Sequence, residues 1–143
     1  MEHAISQAAA AAARGEVPVG AVVTNAAGVV LAMAGNRVEA LGDPSAHAEM
    51  LALRAAARRF GDKRLEGCTL TVTLEPCAMC AGAASLFRLR RVVFGAYDPK
   101  GGGVEHGARV FSHSQCNHAP EVVGGMREAE CAGLLRDFFA RLR

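Results

Sequence analysis

Two short segments constrain this chain more than any other part of its sequence. They are His47-Ala48-Glu49 and Pro76-Cys77-Ala78-Met79-Cys80. Cys77 and Cys80 have the C-x-x-C spacing that places two thiolates on one metal ion, and His47 supplies an imidazole nitrogen as a third ligand. No fourth residue has a comparable spacing. Three protein ligands with one open position describe a catalytic zinc site, because structural zinc sites are closed by four ligands.

The carboxylate of Glu49 completes this group. A lone histidine such as His47 is more often a capping or core residue than a ligand, but the two nearby cysteines favour metal binding. Zinc lowers the pKa of a water in its open position toward about 7. Glu49 is close enough in sequence to reach that water without binding the metal, so we expect it to act as a catalytic proton shuttle.

The pattern of apolar residues and turn formers predicts a chain that alternates helices and strands. Gly15 is expected to end an Ala-rich first helix, and Ser45 to cap the helix that carries His47. Pro76 fits the start of the cysteine-bearing helix. Strands are predicted over residues 17–24, 29–34, 69–74, 91–94 and 121–124, and helices over residues 2–14, 46–60, 77–87 and 127–143.

These elements predict the fold class. The helix between strands 69–74 and 91–94 forms a β-α-β unit, whose strands are expected to run parallel. The other strands begin with a hairpin, so we expect a three-layer α/β fold with a central mixed sheet of about five strands. The hydrophobic content of 51% over 143 residues is enough to fill one core, and we expect a single domain over residues 1–143.

The composition limits the cellular compartment and the binding partners that the protein can have. The formal net charge is +2, and most of the basic residues are arginine, which suits contacts with phosphate groups. Five cysteines are an odd number, and two are assigned to the metal, which favours a reducing compartment. The N-terminus does not resemble a secretory signal, and no segment has the ~20 apolar residues that span a bilayer. We therefore expect a cytoplasmic protein that does not enter the membrane.

One loop and one group of side chains offer weaker alternatives. Gly101-Gly102-Gly103 beside Lys100 suggests a phosphate cradle, but the spacing is not that of a P-loop, and a mobile loop at the rim of a pocket is the preferred interpretation. A second metal site would use irregularly spaced ligands and is disfavoured. Its candidates are His106, His113, Cys116 and His118.

The chain resembles the bacterial tRNA-specific adenosine deaminases over nearly its whole length. H-x-E with P-C-x-x-C is the signature of zinc-dependent base deaminases in general. The narrower resemblance is carried by the flanking segments. They are Glu16-Val17-Pro18-Val19-Gly20-Ala21-Val22, Gly35-Asn36-Arg37, Ala46-His47-Ala48-Glu49, Thr73-Leu74-Glu75-Pro76-Cys77-Ala78-Met79-Cys80-Ala81-Gly82-Ala83, Arg91-Val92-Val93-Phe94-Gly95-Ala96 and Asp137-Phe138-Phe139.

This resemblance implies a cytidine-deaminase-like fold and the hydrolytic conversion of adenosine to inosine at the wobble position of a tRNA anticodon. It implies the tRNA anticodon stem-loop as the partner, and a homodimer with residues 86–91 as a possible contact strip. Backbone N–H groups near Ala48 and Cys77 are expected to face the reacting group, and Asn36 to read the base edge. The implied substrate-binding residues are Val19, Asn36, Ala48, Pro76, Asp98 and Phe139.

Two other functions stay open from the sequence. Tyr97 and Ala119-Pro120 occupy positions where relatives often carry basic residues, so a deaminase of a free nucleobase or nucleoside, of the guanine or cytosine type, is the first alternative. A zinc-stabilised binding module without turnover is the second. The binding module is disfavoured because it gives no purpose to Glu49 or to the open coordination position.

Overall fold

The computed structural model describes residues 1–143, and its core is one five-stranded sheet between two layers of helices. The strands are β1 Gly20–Thr24, β2 Val30–Gly35, β3 Thr69–Leu74, β4 Arg91–Ala96 and β5 Glu121–Val123. The helices are α1 Glu2–Ala13, α2 Val38–Leu41, α3 Ala48–Phe60, α4 Ala78–Leu86 and α5 Glu128–Arg141, with a 3-10 helix at Val110–Ser112.

The sheet is mixed, and its parallel half sets up the site. The strand order is β2-β1-β3-β4-β5, with β1 antiparallel to both β2 and β3. Strands β3 and β4 are parallel, as the β-α-β pattern predicts, and their last residues, Leu74 and Ala96, pair with each other. Because parallel strands end at the same edge of a sheet, the chain segments after β3 and β4 emerge side by side.

The helices form the two outer layers that the sequence predicts. Helices α3 and α4 pack together on one face of the sheet, and α1 and α5 pack together on the other. Gly20 in β1 shows how closely α1 approaches, since a Cβ atom there would collide with the backbone oxygen of Ala4. Most of the core lies between the sheet and the α3–α4 layer, with Phe94, Leu53 and Leu70 among its largest buried side chains. No helix of the fold is both long and apolar enough to span a bilayer.

Three local features differ from the sequence prediction. The first strand begins at Gly20 and not at residue 17, because Pro18 has no N–H for a strand ladder and the Val19 N–H turns back to the Val17 carbonyl. The Ser45 cap is wrong: helix α3 begins at Ala48, and the Ser45 hydroxyl donates to Asp43 Oδ1 at 2.7 Å. The short helix α2 and the 3-10 helix were not predicted, since neither is long enough to show helical periodicity.

Candidate active site and metal centre

Two helix starts bring the three predicted metal ligands together. His47 is the N-cap residue of α3, Cys77 is the N-cap residue of α4, and Cys80 lies in the first turn of α4. His47 Nδ1 lies 3.6 Å from the sulfur of Cys77 and 3.6 Å from that of Cys80, and the three atoms all lie within 4.8 Å of one another. Typical Zn–S and Zn–N bonds at a tetrahedral angle separate sulfur from nitrogen by roughly 3.6 Å. The donor set and its spacing therefore fit one tetrahedral zinc ion.

The protonation of the two thiols shows how closely they interact. The hydrogen bond from Cys80, helped by His47 and opposed by burial, lowers the pKa of Cys77 to about 4. The same hydrogen bond and burial raise the pKa of Cys80, so the pair shares one proton. The hydrogen bond to Cys77 raises the pKa of His47, despite partial burial. Such a cluster releases protons when it binds a divalent metal.

Glu49 lies in the first turn of α3, two residues beyond His47. The residue is only 4% exposed, yet it lines the same cavity as His47 and Cys77. Burial raises the pKa of Glu49 to about 7, with the Cys77 thiolate adding to the effect and His47 opposing it. A carboxyl group with a pKa close to neutral both accepts and donates a proton readily, which suits general acid–base catalysis.

A cavity of about 520 Å³ opens in front of this group. Its size lies within the usual range for small-molecule sites. Four of the six predicted substrate-binding residues line it, namely Val19, Asn36, Asp98 and Phe139, together with His47, Glu49 and Cys77. We call it the site cavity. The other two predicted residues, Ala48 and Pro76, are buried and do not line the cavity.

Comparison with known proteins agrees with this site. The cytidine and deoxycytidylate deaminase zinc-binding region matches residues 1–96. A tRNA-specific adenosine deaminase from Agrobacterium fabrum is 50% identical over 143 residues, covering all of this chain and 93% of the relative. A second, from Bacillus subtilis, is 49% identical over all of this chain and 88% of the relative. This chain belongs to the tRNA-specific adenosine deaminase family.

A solved structure supports the same assignment. It comes from a study of A-to-I editing by tRNA:A34 deaminases at the wobble position of transfer RNA. It is 50% identical to this deaminase, with a TM-score of 0.92, and the match covers 94% of this chain and 97% of that chain. The family and the fold class predicted from the sequence are both confirmed.

Asn36 and Ala48 form one unit in this deaminase. Asn36 Oδ1 accepts a hydrogen bond from the Ala48 N–H at 2.8 Å, so a residue at the end of β2 caps the start of α3. This pairing corrects the expectation that the Ala48 N–H faces the reacting group. Because the oxygen of the Asn36 amide is held by Ala48, the Nδ2 group is the part that is left to face the site cavity as a donor.

Two phenylalanines at the end of α5 have different environments. Phe138 is 7% exposed and Phe139 is 44% exposed, and their rings meet edge to face with centroids 5.4 Å apart. Both line the site cavity. Phe138 therefore anchors α5, and Phe139 presents an open aromatic face at the cavity entrance.

The sequence analysis missed two buried glutamates. Glu16 is 1% exposed and accepts hydrogen bonds from the N–H groups of Glu39 and Ala40, which fixes the start of α2 beside Asn36. Glu75 is 2% exposed and accepts hydrogen bonds from the loop that follows β4. Both lie within the segments that carry the family resemblance. The only sequence signal for a buried, hydrogen-bonded glutamate at either position was an acidic residue beside apolar strand residues.

The glycine-rich loop does not form a phosphate cradle, and the histidines after it do not form a second metal site. The N–H groups of Val104, Glu105 and His106 surround Glu75 Oε2 at 2.9–3.2 Å, so an internal carboxylate occupies the place of a bound phosphate. The second group of candidate ligands is dispersed: His106 contacts Glu75, and His113 and His118 contact backbone carbonyl groups. His47, Cys77 and Cys80 form the one cluster of the chain whose side chains are placed to hold a metal ion.

Proposed function

We propose that this protein is a zinc enzyme that deaminates adenosine to inosine at the wobble position of a tRNA anticodon. The observation that carries the proposal is that the buried carboxyl group of Glu49 lines one cavity together with His47 and Cys77 of the three-ligand cluster. The full-length relatives that act on adenosine in tRNA support the choice of base. The reaction adds water to C6 of adenine and releases the 6-amino group as ammonia.

His47, Cys77 and Cys80 would hold the zinc ion, which when bound supplies an acidified water molecule as the nucleophile. Glu49 takes a proton from the attacking water and delivers it to N1 of the purine ring. The same carboxyl group then carries the second proton to the leaving amino group. Burial raises the pKa of Glu49 above its ordinary value, which suits a carboxyl group that both accepts and donates a proton. Its burial keeps bulk water from competing for those protons.

Other residues that line the cavity are suited to hold the base. Asn36 presents its Nδ2 group as a donor to an acceptor atom on the purine edge, since its oxygen is held by Ala48. Val19 is 6% exposed and supplies an apolar contact beside it. Pro76 is buried beside Cys77, and its carbonyl group accepts a hydrogen bond from the Gly103 N–H at 2.8 Å.

The entrance to the cavity is suited to single-stranded RNA. Phe139 offers a ring on which a neighbouring nucleotide stacks, and base stacking on an aromatic side chain stabilises such complexes by about 1–3 kcal/mol. Lys100, Arg136 and Arg143 border the outer side of Phe139 and suit phosphate groups. C6 of adenine is inaccessible inside a stacked helix, whereas an anticodon loop offers the base at a low cost in unstacking.

The test uses zinc-loaded protein with an anticodon stem-loop RNA that carries adenosine at the wobble position. We expect inosine at that position by mass spectrometry, and no turnover of free adenosine, guanine or cytidine. Turnover of a free base without reaction of the RNA would instead assign the protein to the free-base deaminases. Failure of every substrate would support the binding module.

A matched pair of variants tests the role of Glu49. Glu49→Gln removes the proton shuttle with little change of shape, so kcat should fall about 10²–10⁴-fold while the zinc content stays unchanged. Glu66→Gln makes the same chemical change at an exposed position and should leave both quantities unaltered. Full activity in the Glu49→Gln protein would remove Glu49 from the mechanism.

We also propose that the protein acts as a homodimer. Leu86, at the end of α4, is 82% exposed, which is unusual for a large apolar side chain and suits burial against a second copy. Residues 86–91 form the proposed contact strip. Leu86→Glu should shift the sedimentation coefficient toward that of a monomer, and an unchanged coefficient would move the dimer contact elsewhere.

A further inference from the structure

Glu75 is a buried carboxylate with an unusual number of partners. It follows β3 directly, and its side chain is completely shielded from solvent. Oε1 accepts a hydrogen bond from the Asp98 N–H at 3.0 Å and lies 2.8 Å from His106 Nδ1. Oε2 accepts from the three successive N–H groups of residues 104–106. These five contacts join both ends of residues 98–106, which we call the Asp98 loop.

The glycines of the Asp98 loop allow its backbone to lie directly on this carboxylate. A Cβ atom at Gly102 would stand 2.5 Å from the Glu75 carboxyl group, and one at Gly103 would stand 2.5 Å from the Ala78 nitrogen. Such distances are too short for any side chain, so these positions need glycine. The Gly103 N–H also donates to the Pro76 carbonyl at 2.8 Å. The loop is therefore seated on the corner between β3 and α4.

The same corner carries a metal ligand, since Cys77 follows Glu75 by two residues. The Asp98 loop contributes Asp98 and Gly101 to the site cavity, which His47 and Cys77 also line. Asp98 is itself held in place, because its Oδ1 accepts from the Lys100 and Gly101 N–H groups at 3.2 and 3.0 Å. One carboxylate thus joins the metal-binding corner to the part of the wall that approaches the substrate.

We propose that Glu75 is a positioning residue that holds the Asp98 loop at the distance from the metal-binding corner that substrate binding requires. This inference rests on the proposed function and adds a residue that sets substrate affinity. Glu75 also lines the site cavity, but all of its side-chain hydrogen-bond partners belong to the Asp98 loop. We therefore expect it to act through Asp98 and the loop backbone. Its removal should therefore weaken binding of the RNA more than it slows the chemical step.

Glu75→Gln is the sharpest variant. An amide oxygen still accepts from the three N–H groups of residues 104–106, whereas the amide NH₂ replaces Oε1 and faces the Asp98 N–H as a second donor. The substitution therefore breaks the hydrogen bond at the Asp98 end of the loop and retains those at residues 104–106. We expect KM for the anticodon stem-loop to rise about tenfold, as for the loss of one hydrogen bond to a charged group, with kcat changed less than about threefold.

Comparing the change in KM with the change in kcat separates a positioning role of Glu75 from a simple loss of folded protein. A partly unfolded sample has fewer active molecules, which lowers the apparent kcat and leaves KM unchanged. The Glu66→Gln protein, with the same change at an exposed site, should match wild type in both constants. A lower kcat with an unchanged KM in the Glu75→Gln protein would overturn the proposal.

A double-mutant cycle tests whether Glu75 acts through Asp98. Asp98→Ala should raise KM by itself, and adding Glu75→Gln in that background should raise it less than twofold more. Residues that act through one contact are non-additive in this way. Fully additive effects on KM would show that Glu75 works by a separate route and would contradict the proposed coupling.

A measurement without substrate separates this inference from the proposed function. Amide hydrogen exchange at Asp98 should accelerate in Glu75→Gln and remain slow in Glu66→Gln, whatever reaction the protein catalyses. Unchanged exchange at Asp98 would overturn the positioning role, even if the RNA is deaminated. Should Glu75→Gln fail to fold, His106→Ala removes the half-exposed ring at Oε1 and should produce a smaller rise of KM, about twofold to threefold; no rise would count against the proposal.

Discussion

The two sides of the site cavity are built in different ways. The metal side consists of His47, Glu49, Cys77 and Cys80, which all lie at the first residues of two neighbouring helices. The outer wall consists of Val19, Asn36, Asp98 and Phe139, which come from four separate segments. The metal side depends on short sequence spacings, and the outer wall depends on how the sheet and α5 are assembled. We infer that the first side supplies the chemistry and the second selects the substrate.

The largest effect should follow from removing a metal ligand. Cys80→Ala should abolish zinc binding and lower turnover by at least about 10³-fold, because zinc lowers such barriers by several kcal/mol. Cys68→Ala is the matched control, since Cys68 is equally buried but lies outside the cluster. Zinc content by plasma mass spectrometry and inosine formation are the measurements. Retained zinc and activity in the Cys80→Ala protein would contradict the assignment of the chemistry to the metal side.

A substitution at Asn36 should damage the outer wall without touching the metal. Asn36→Asp keeps the oxygen that caps the Ala48 N–H but replaces the NH₂ donor with an acceptor. We expect thermal stability to be kept and kcat/KM to fall roughly tenfold to a hundredfold, the usual effect of one lost hydrogen bond and an unpaired polar group. Unchanged kcat/KM with a lowered Tm would show that Asn36 is only a cap.

Phe138 and Phe139 are adjacent, and their substitution should separate an effect on fold stability from an effect on RNA binding. Phe139→Ala should raise KM for the RNA about fivefold to tenfold, because an exposed stacking face is lost, and should leave the free energy of unfolding nearly unchanged. Phe138→Ala should do the opposite and destabilise the fold by about 3 kcal/mol, since Phe138 is buried. Kinetics and chemical denaturation of the two proteins measure these effects. Equal losses of stability would remove the distinction between the rings.

The smallest predicted effect concerns Glu16, which supports the outer wall from behind. Burial alone would raise the pKa of Glu16, but the N–H groups of Glu39 and Ala40 outweigh it and hold the pKa below its ordinary value of 4.5. The ionised carboxylate therefore stabilises the fold above the unfolded-state pKa, and this contribution is lost as pH falls through the lower folded-state pKa. Glu16→Gln should lower Tm by a few degrees at pH 7 and by less below pH 4. A shift of this size is usual for the loss of one capping contact. A Tm difference that does not narrow on acidification would contradict the role of the charge.

The same contrast explains what the sequence could and could not predict. The clustering of His47, Cys77 and Cys80 was predictable because the C-x-x-C spacing and the position of His47 are typical of one shared metal site, and the structure brings the three side chains together. The parallel pairing of β3 with β4 followed from the helix between them, and the structure confirms it. These predictions used local patterns, which are the part of a fold that a single sequence expresses most directly.

The remaining details depended on contacts between distant segments. The cap of α3 comes from Asn36, eleven residues before His47, and no local pattern distinguishes it from the Ser45 that was predicted. Glu75 and the Asp98 loop meet only because β3 and β4 end at the same edge of the sheet. The sequence shows an acidic residue before Pro76 and a run of glycines, but their contact is a property of the assembled sheet.

X-ray absorption spectroscopy of zinc-reconstituted protein tests the account at its centre. An open site built from His47, Cys77 and Cys80 should show two sulfur neighbours at about 2.3 Å and two nitrogen or oxygen neighbours at about 2.0–2.1 Å around each zinc ion. One of the nitrogen or oxygen neighbours should not come from the protein. One zinc ion per chain with this shell would agree with an open catalytic site. A shell of three or four sulfur atoms, or full deaminase activity in protein without zinc, would contradict it.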